Sequence, residues 1–346
     1  MSIVTIKSIT TEDQLEELLS RPNAADIEWA RQLGGDVVVL GAGGKMGPSL
    51  AMRARRAIEV AGVGHRVIAV SRFSEKAARS FLEEQGVKTL PCDFLDRRQV
   101  GRLPPCENVL FMAGRKFGTG ERSDLTWASN TIVPANLGLH FRGSRMVVFS
   151  TGNVYPLVQS SSSGSVETDL LSPVGEYAQS CLGRERVMEY CSRELGTRCL
   201  MFRLNYALDL RYGVLVDIAW KVRQGATIDL SVGYANVIWQ GDANSMALRS
   251  LELCQSPPRA LNVTGPEKLS VREVAHFFAA RWGKEAKLSG NEGPRALLSD
   301  STLSRSLLGE PEVPATLLLE WVANWVELDG SYLGKPTKYE VADGKF

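Results

Sequence analysis

The sequence predicts an α/β fold, a doubly wound parallel sheet followed by a smaller mixed α/β lobe. Two observations support this prediction. From residue 36 to about residue 205, short apolar runs rich in β-branched residues alternate with helix-forming stretches, which is typical of parallel strands joined by helical crossovers. The first run, DVVVL at 36–40, leads directly into a glycine-rich turn and a helical stretch. The chain of 346 residues, 44% of them apolar, is long enough to bury such a core.

The charge balance and the hydropathy exclude several classes of partner. Lysine and arginine number 40 and aspartate and glutamate 39, so the net charge of +1 provides no global field for nucleic acid or an anionic membrane. No window reaches the roughly 18 apolar residues of a membrane span, and the opening MSIVTIKSITTED has acidic residues where a secretory signal needs an apolar core. We therefore expect a cytoplasmic protein without nucleic-acid or membrane partners.

The cysteines and histidines predict neither a metal site nor a disulfide framework. The six cysteines form no C-x-x-C pair, and the three histidines lie far apart in the sequence. Scattered cysteines are typical of reduced thiols, and so few histidines make a metal site or a Ser-His-Asp triad improbable.

The first predicted strand is followed by GAGGKMG, which places Gly41, Gly44 and Gly47 in the spacing G-x-x-G-x-x-G. Glycines here permit a tight turn and close approach of the backbone to a pyrophosphate, whose charge then meets the amides and positive dipole end of the helix. We predict a Rossmann-type dinucleotide site in which Lys45 and Met46 also lie against the cofactor. The alternative is a turn without a ligand, and the agreement of strand, glycines and helix favours binding.

The end of the second predicted strand bears on the choice of cofactor. This strand ends at Ser71-Arg72, whereas an NAD-selective site usually has an acidic residue here for the ribose hydroxyls. A hydroxyl and a guanidinium suit a 2′-phosphate better, so NADP is favoured over NAD, with a solvated Arg72 as the alternative. Asp93, after the third strand, is predicted to lie at the edge of the adenine.

These signals divide the chain into four parts. Residues 1–33 are predicted to form an N-terminal helical extension. Residues 34–205, together with strands near 237–264, are predicted to form the dinucleotide-binding domain. Residues 206–330 are the expected substrate lobe, and residues 331–346 are an expected C-terminal tail whose aromatic residues dock on a partner subunit.

Several motifs follow the glycine turn. In chain order they are FMAGRKFGTGERS, Asn130, FSTGNVYP, GEYAQSC, RLNY, Asp242 and SDSTLSRSLLG. With these motifs, residues 34–328 resemble the extended short-chain dehydrogenase/reductase family, in the branch that contains sugar-nucleotide epimerases and dehydratases. The resemblance implies that Ala113 and Gly114, in the first motif, contact the cofactor. It also implies a homodimer.

By the same resemblance, Tyr177 is the catalytic tyrosine and Thr151, 26 residues earlier, is its hydroxyl partner. A phenolate over a secondary alcohol can remove its proton while hydride leaves for the nicotinamide, and the second hydroxyl orients the same oxygen. The alternative is a core tyrosine on an amphipathic helix. Asn153 follows Thr151, and Asn205 and Tyr206 leave the sixth strand toward the same crevice, so these three residues are predicted to contact the substrate.

The main departure from the family pattern lies four residues after the tyrosine. The motif Y-x-x-x-K is replaced by Tyr177-Ala-Gln-Ser-Cys181, which removes the ammonium that lowers the pKa of the phenol and holds the nicotinamide ribose. Cys181, predicted to lie at the cofactor as a small neutral residue, can do neither. Lys116, Lys45 and Arg184 are candidate replacements, and the position of Lys116 in the loop after the fourth strand makes it our choice as the third catalytic residue.

Two further departures bear on the substrate. Where nucleotide-sugar epimerases of the family carry arginines for the substrate diphosphate, this chain has the pair Ala235-Asn236 and Gly290, which makes a bidentate clamp doubtful. Gly152-Asn153 stands where dehydratases carry an acidic pair, so elimination of water by that route is not expected.

The sequence thus predicts a NAD(P)-dependent oxidoreductase or epimerase that oxidises a secondary alcohol of a small carbohydrate-type substrate by hydride transfer to nicotinamide. It does not choose between dehydrogenase and epimerase. Two alternatives stay open. A nucleotide-sugar 4-epimerase is favoured by the segment AGRK and opposed by the missing arginines and lysine, and a non-catalytic NAD(P)-binding sensor is favoured by the missing lysine.

Overall fold

The computed structural model describes residues 3–116, 122–341 and 343–344. Residues 117–121 of the predicted FMAGRKFGTGERS loop lie outside the described residues. The strands in chain order are β1 (Val37–Leu40), β2 (Val67–Ser71), β3 (Lys88–Pro91), β4 (Asn108–Phe111), β5 (Arg145–Thr151), β6 (Val158–Gln159), β7 (Arg198–Leu204), β8 (Ala207–Leu208), β9 (Ile228–Asp229), β10 (Tyr234–Ala235), β11 (Ile238–Trp239), β12 (Arg259–Val263), β13 (Leu269–Ser270), β14 (Leu288–Ser289) and β15 (Arg295–Ala296).

The helices alternate with the longer strands. They are α1 (Glu12–Ser20), α2 (Ala24–Arg31), α3 (Gly47–Ala61), α4 (Lys76–Glu84), α5 (Arg97–Val100), α6 (Ser123–Trp127), α7 (Val133–His140), α8 (Gly175–Leu195), α9 (Val214–Gln224), α10 (Gln240–Arg249), α11 (Val271–Arg281), α12 (Thr302–Leu308) and α13 (Ala315–Glu327). A π-helical turn over residues 128–132 joins α6 to α7. No helix in the described part of the chain is long and apolar enough to cross a membrane.

The predicted parallel sheet is confirmed. Seven strands pair in the order β12-β7-β5-β4-β1-β2-β3, and every neighbouring pair is parallel. The connections run outward in opposite directions from β1 and β4, which makes this a doubly wound Rossmann fold with a crevice at the carboxyl ends of these two strands.

Burial on both faces explains why the strands read as continuous apolar runs. In β1, Val37 and Val39 pack into the core beneath α3, whereas Val38 and Leu40 pack into the opposite core with residues of α7 and α8. Side chains alternate between the two faces of a strand, so a central parallel strand needs apolar residues at every position. The sheet thereby separates two helical layers.

The N-terminal segment is part of the fold and not a detached extension. Leu15 and Leu18 of α1 enter the core of the C-terminal lobe, while Trp29 of α2 enters the core beneath the large sheet. Asp26 of α2 pairs with Arg53 of α3 at 2.7 Å, and both side chains are buried. Residues 3–31 therefore bridge the two cores.

The C-terminal lobe differs from the sequence prediction in one strand. Of the two strands expected near 237–264, β12 joins the large sheet, whereas β11 pairs with β8 in a separate two-stranded sheet. Docking of the tail on a partner subunit stays a prediction, and the described part of the tail packs on its own chain. Tyr339 is 2% exposed within this chain's own lobe, and Tyr332 lies against Trp220 with ring centroids 5.9 Å apart.

A buried polar network joins α8 to the sheet. Arg203 of β7 and Glu185 of α8 form an ion pair at 2.7 Å, with side chains only 6% and 4% exposed. The hydroxyl of Ser150, in β5, donates to Glu185 at 2.5 Å, and Arg203 also donates to the hydroxyl of Tyr155 at 2.6 Å. Tyr155 in turn donates to Asn262 of β12 at 2.8 Å. The network sets the position of α8 against three strands.

The substitution Glu185→Gln tests this network. It leaves the Arg203 charge buried without its carboxylate, so we expect the free energy of unfolding to fall by about 3 kcal/mol. Urea denaturation measures the change. Glu189→Gln on the same helix is the matched control, because Glu189 pairs with the exposed Arg186 and should change stability by less than about 1 kcal/mol. Equal effects of the two substitutions would contradict a structural role for the buried pair.

Candidate active site

Two cavities lie at the carboxyl ends of the central strands, and the second also contacts the C-terminal lobe. The first has a volume of about 270 Å³ and the second about 210 Å³. Most residues predicted for the cofactor line the first cavity, namely Gly41, Gly44, Ser71, Arg72, Asp93, Ala113 and Gly114. All residues predicted for catalysis and substrate line the second, together with two predicted for the cofactor, namely Thr151, Tyr177, Lys116, Asn153, Asn205, Tyr206, Lys45 and Met46.

The glycine turn has the geometry that its sequence predicts. Gly41 adopts φ 97°, and a Cβ at this position would lie 2.6 Å from the amide nitrogen of Ala113. A Cβ at Gly47 would lie 2.5 Å from the Cα of Ala42, so the third glycine lets the start of α3 approach the turn. Only glycine fits at either position. Gly47 is buried and lines neither cavity.

The residues of the first cavity fit a dinucleotide. Within the described structure, the amides of Lys45 and Met46 donate to no other backbone group, and they lie immediately before the N-terminus of α3. Such amides at the positive end of a helix dipole suit a pyrophosphate. Arg72 is exposed at the mouth of the cavity, but Glu75, which the sequence analysis did not single out, also lines it. Glu75 opposes a 2′-phosphate, so the geometry alone does not favour NADP.

Tyr177 and Thr151 come together at the second cavity. Tyr177 lies in the first turn of α8 and Thr151 is the last residue of β5, and their side chains are hydrogen-bonded to each other. The hydroxyl of Thr151 also accepts hydrogen bonds from the backbone and side-chain amides of Asn153, at 3.2 and 3.0 Å. Two hydroxyls therefore face one small cavity in fixed orientation.

The surroundings of Tyr177 hold its phenol in the protonated form. Partial burial raises the pKa of Tyr177 well above its usual value near 10, and the neighbouring Cys181 raises it further. The guanidinium of Arg184 and the hydrogen bond with Thr151 act in the opposite direction but do not compensate. In this environment Tyr177 is a neutral phenol near pH 7 and a weaker acid than a free tyrosine, so its phenolate needs added positive charge before it can act as a base.

Cys181 lies behind the tyrosine and not at the cofactor. It is 1% exposed, lines neither cavity, and is hydrogen-bonded to Tyr177. Burial raises the pKa of its thiol, so Cys181 is neutral near pH 7. The position of Cys181 thus does not support the predicted contact with a cofactor, because the side chain is buried and lines neither cavity.

Arg184 provides a fixed positive charge one turn beyond Cys181. Its guanidinium donates to the carbonyl of Phe149 at 2.6 Å and to the side-chain oxygen of Asn130 at 2.5 Å. A Cβ at Gly114 would lie 2.1 Å from the same guanidinium, so only glycine fits there. Asn130 lies in the π-helical turn, which directs its side chain toward α8. Arg184 lines neither cavity and acts on Tyr177 through its field alone.

Lys116 and Lys45 place two ammonium groups at the second cavity. The Nζ of Lys116 lies 3.4 Å from the carbonyl of Thr337, and its charge interacts with Cys181. Burial lowers the pKa of Lys116 to about 8, against the opposing effects of Asp217 and Cys181. Lys116 therefore reaches the wall of the second cavity near Cys181.

Lys45 faces the substrate side and not the predicted cofactor side. Its Nζ lies 3.4 Å from the carbonyl of Ala207 and 4.0 Å from the ring centroid of Tyr212. Burial lowers the pKa of Lys45 to about 8. The side chain thus belongs to the second cavity, while the predicted cofactor contact stays a property of its backbone amide.

The C-terminal tail closes one side of the second cavity, which the sequence analysis missed. Thr337 lines the cavity and is held by Asp217, which accepts hydrogen bonds from the backbone amide of Thr337 at 2.7 Å and from its hydroxyl at 2.6 Å. Tyr212, from the turn between β8 and α9, is a second missed lining residue. Sequence offers no signal for either, because they follow Tyr177 by 160 and 35 residues.

The predicted substrate residue Asn205 has most of its hydrogen-bonding capacity engaged. Its amide nitrogen donates to the side-chain oxygen of Asn236 at 2.9 Å and lies 3.4 Å from the carbonyl of Leu297. Tyr206, with φ 44°, turns the chain out of the sheet beside it. Asn153 and Tyr206 are therefore the better placed of the three predicted substrate contacts.

The comparisons with known proteins show the fold. No protein-family model matches the chain, and no curated protein matches its sequence. A dTDP-glucose 4,6-dehydratase from Streptomyces venezuelae with NAD and TYD bound superposes with a TM-score of 0.71 over 84% of this chain and 97% of its own, at 17% identity. This chain has the same fold as that dehydratase.

Two epimerases give the same result. A UDP-glucose 4-epimerase from Thermotoga maritima with UDP-glucose has a TM-score of 0.69 at 19% identity, over 85% of this chain and 98% of its own. A UDP-glucuronic acid 4-epimerase from Bacillus cereus in complex with NAD has a TM-score of 0.69 at 17% identity, over 85% and 99%. At such identities the likeness extends to the fold and not to individual side chains. Among the described residues, no group of three or more His, Cys, Asp or Glu side chains is placed to hold a metal ion.

The substitution Lys45→Met tests whether burial of the Lys45 ammonium in the second cavity destabilises the fold. A folded-state pKa near 8, below the unfolded value near 10.5, means that Lys45 destabilises the fold fully below pH 8 and ceases to do so as the pH approaches 10.5. We expect the apoprotein variant to be more stable than the wild type by about 2 kcal/mol at pH 7, because water in the cavity screens part of the full effect.

The advantage of Lys45→Met should shrink between pH 8 and pH 10, as urea denaturation at several pH values would show. Lys88→Met, at an exposed lysine of β3, is the control and should show no such trend. A stability difference that stays constant from pH 7 to pH 10 would contradict the lowered pKa.

Proposed function

We propose that this protein binds NAD(P) in the first cavity and oxidises a secondary alcohol of a small carbohydrate-type substrate in the second. One observation carries the proposal: the hydrogen-bonded hydroxyls of Tyr177 and Thr151 face a small cavity beside the glycine turn, at the carboxyl edge of a doubly wound sheet. Ligands bind at this edge in such folds.

The likeness to solved structures supports the proposal. The dehydratase and the two epimerases that share the fold are described with NAD, with a nucleotide, or with a nucleotide sugar. Fold alone does not set function, so the argument rests on the cavity. A nucleotide-sugar 4-epimerase remains the second candidate, favoured by these neighbours and opposed by Ala235-Asn236 and Gly290, where diphosphate-binding arginines would be expected.

The chain's own residues divide the work between the two cavities. The turn from Gly41 to Gly47 and the amides before α3 bind the pyrophosphate, and Asp93 lies toward the adenine. When bound, oxidised nicotinamide accepts hydride from the carbon that carries the alcohol. Thr151, fixed by Asn153, holds the alcohol oxygen within reach of Tyr177.

Proton transfer at Tyr177 is the step that needs other positive charges, because the lysine of the family pattern is absent. The phenol takes the alcohol proton only when positive charge stabilises its ionised form. Arg184 supplies a fixed field from behind the tyrosine. Lys116, at the cavity wall and interacting with Cys181, supplies a second charge from the side where the family lysine is missing. We assign this role to Lys116.

The predicted homodimer stays a prediction. Helices α6, α7 and α8 and the π-helical turn between α6 and α7 expose several large apolar side chains, which are Trp127, Ile132, Leu139 and Tyr190. Apolar residues on neighbouring helices are typical of an interface with a second copy.

The nucleotide content of the purified protein tests cofactor and reaction type together. An epimerase must retain its cofactor between half-reactions, so nucleotide released on denaturation and identified by mass in stoichiometric amount would favour epimerisation. An empty protein that binds NAD or NADP in titration would favour a dehydrogenase. If Arg72 selects the 2′-phosphate, Arg72→Ala should weaken NADP binding about tenfold and leave NAD binding unchanged. Failure to bind either nucleotide would contradict the proposal.

Substitution of Tyr177 and Lys116 tests the catalytic assignment. On any alcohol that the wild type oxidises, we expect Tyr177→Phe to lower kcat by at least about 100-fold, because the hydroxyl that exchanges the proton is lost. Lys116→Met should lower kcat and move the pH midpoint of kcat upward, whereas Lys116→Arg should retain most of the activity. Lys88→Met is the control. Full activity of Tyr177→Phe would refute the assignment, and binding of cofactor without turnover across a broad alcohol panel would favour the sensor.

A further inference from the structure

The second cavity contains a cation that proton transfer does not use. Lys45 projects from the glycine turn into this cavity. Among the described residues, its ammonium contacts the carbonyl of Ala207 at 3.4 Å and the face of the Tyr212 ring at 4.0 Å. A lysine ammonium has three donor hydrogens, and one long carbonyl contact leaves most of this capacity for a ligand. If Lys45 bound the cofactor phosphates through its side chain, it would line the first cavity, which it does not.

The charges around Lys45 leave the cavity wall positive. No carboxylate is among the described residues that line the second cavity. The acidic group that acts on Lys45 is Asp209, which is buried and bound to Arg211 at 3.0 Å, and Arg211 itself repels the lysine. The ammonium of Lys116 acts on Lys45 in the same repulsive sense.

The charges around Lys116 complete this environment. Asp217 acts on Lys116 and already accepts two hydrogen bonds from Thr337 and one from Tyr332 at 3.2 Å. Lys338 opposes its effect on Lys116. Both lysines line the second cavity, and no carboxylate is among the described residues that line it with them.

Two neighbouring ammonium groups in a small cavity are unfavourable unless an anion binds there. We propose that the substrate carries an anionic group, a carboxylate or a phosphate monoester, which binds Lys45 and is shared with Lys116, so that the alcohol carbon lies at Tyr177. The placement of the alcohol at Tyr177 rests on the proposed function, whereas the anion site at Lys45 does not. A cavity of about 210 Å³ has room for a small acid of this kind.

A bound anion would also offset the unfavourable free energy of burying two ammonium groups in the cavity. Burial, together with repulsion by Lys116 on Lys45 and by Lys338 on Lys116, lowers the pKa of each of the two cavity lysines to about 8. A bound anion stabilises the protonated forms, so binding should take up protons near pH 8 and weaken once the pH exceeds the pKa of the complexed lysines.

Calorimetric binding to the full chain tests the inference with three four-carbon probes, erythritol, D-erythronate and D-erythritol 4-phosphate. Each is titrated at constant ionic strength with saturating NAD or NADP present, which occupies the phosphate site of the glycine turn. We expect at least one anionic probe to bind ten times more tightly than erythritol at pH 7, and the stronger of the two identifies the group as carboxylate or phosphate. Binding should decline above about pH 9.

The variants assign the binding to Lys45. Lys45→Met should weaken the anionic probe at least tenfold, Lys45→Arg by less than threefold, and Lys88→Met not at all. Equal binding of erythritol and the anions, no binding of either anion to the wild type, or undiminished binding to Lys45→Met would each overturn the inference. Because binding needs no turnover, Lys45-dependent binding without hydride transfer would overturn the proposed function and leave the anion site standing.

Discussion

The position of α8 is the constraint on which the candidate active site depends. This helix carries Tyr177 at its start, and the buried pair of Glu185 and Arg203 binds its middle to β7. Ser150 joins the same network and immediately precedes Thr151. One set of hydrogen bonds therefore fixes the positions of Thr151 and Tyr177 relative to each other. A buried ion pair is strongly directional and costly to break on one side. The helix therefore has one position in which both the network and the hydroxyl pair form.

Positive charge reaches the surroundings of Tyr177 from several elements. Cys181, four residues after the tyrosine on α8, is buried and neutral, and Arg184 fills the space between Gly114 and Asn130. Lys116 and Lys45 enter from two loops and line the same cavity as the tyrosine. Lysines on loops at a cavity wall are accessible to an anion in that cavity, and the proposed anion site uses this arrangement.

The parallel sheet could be predicted from sequence because its determinants are local. Four consecutive buried residues in β1, the glycines after it and the length of α3 all follow from side-chain size and backbone freedom. The boundaries between the two lobes could be predicted less well from the sequence. Strand β11 is as apolar as β12 but pairs outside the large sheet, and α1 looks like a surface helix although Leu15 and Leu18 enter a core formed by the distant half of the chain. Such pairings depend on partners far away in sequence.

The sequence by itself determined the doubly wound fold and the glycine turn, because each depends on local apolar runs and glycine spacing. Tyr177 and Thr151 were predicted from a family resemblance, and the structure brings their side chains together at one cavity. Only the tertiary structure decided which cavity each residue lines. It separated Lys45 from the cofactor side, placed Cys181 behind Tyr177, and brought Thr337 of the tail to the cavity wall. The physical reason is that side-chain direction and long-range packing, and not residue type, determine which charges and hydroxyls share a solvent-filled space.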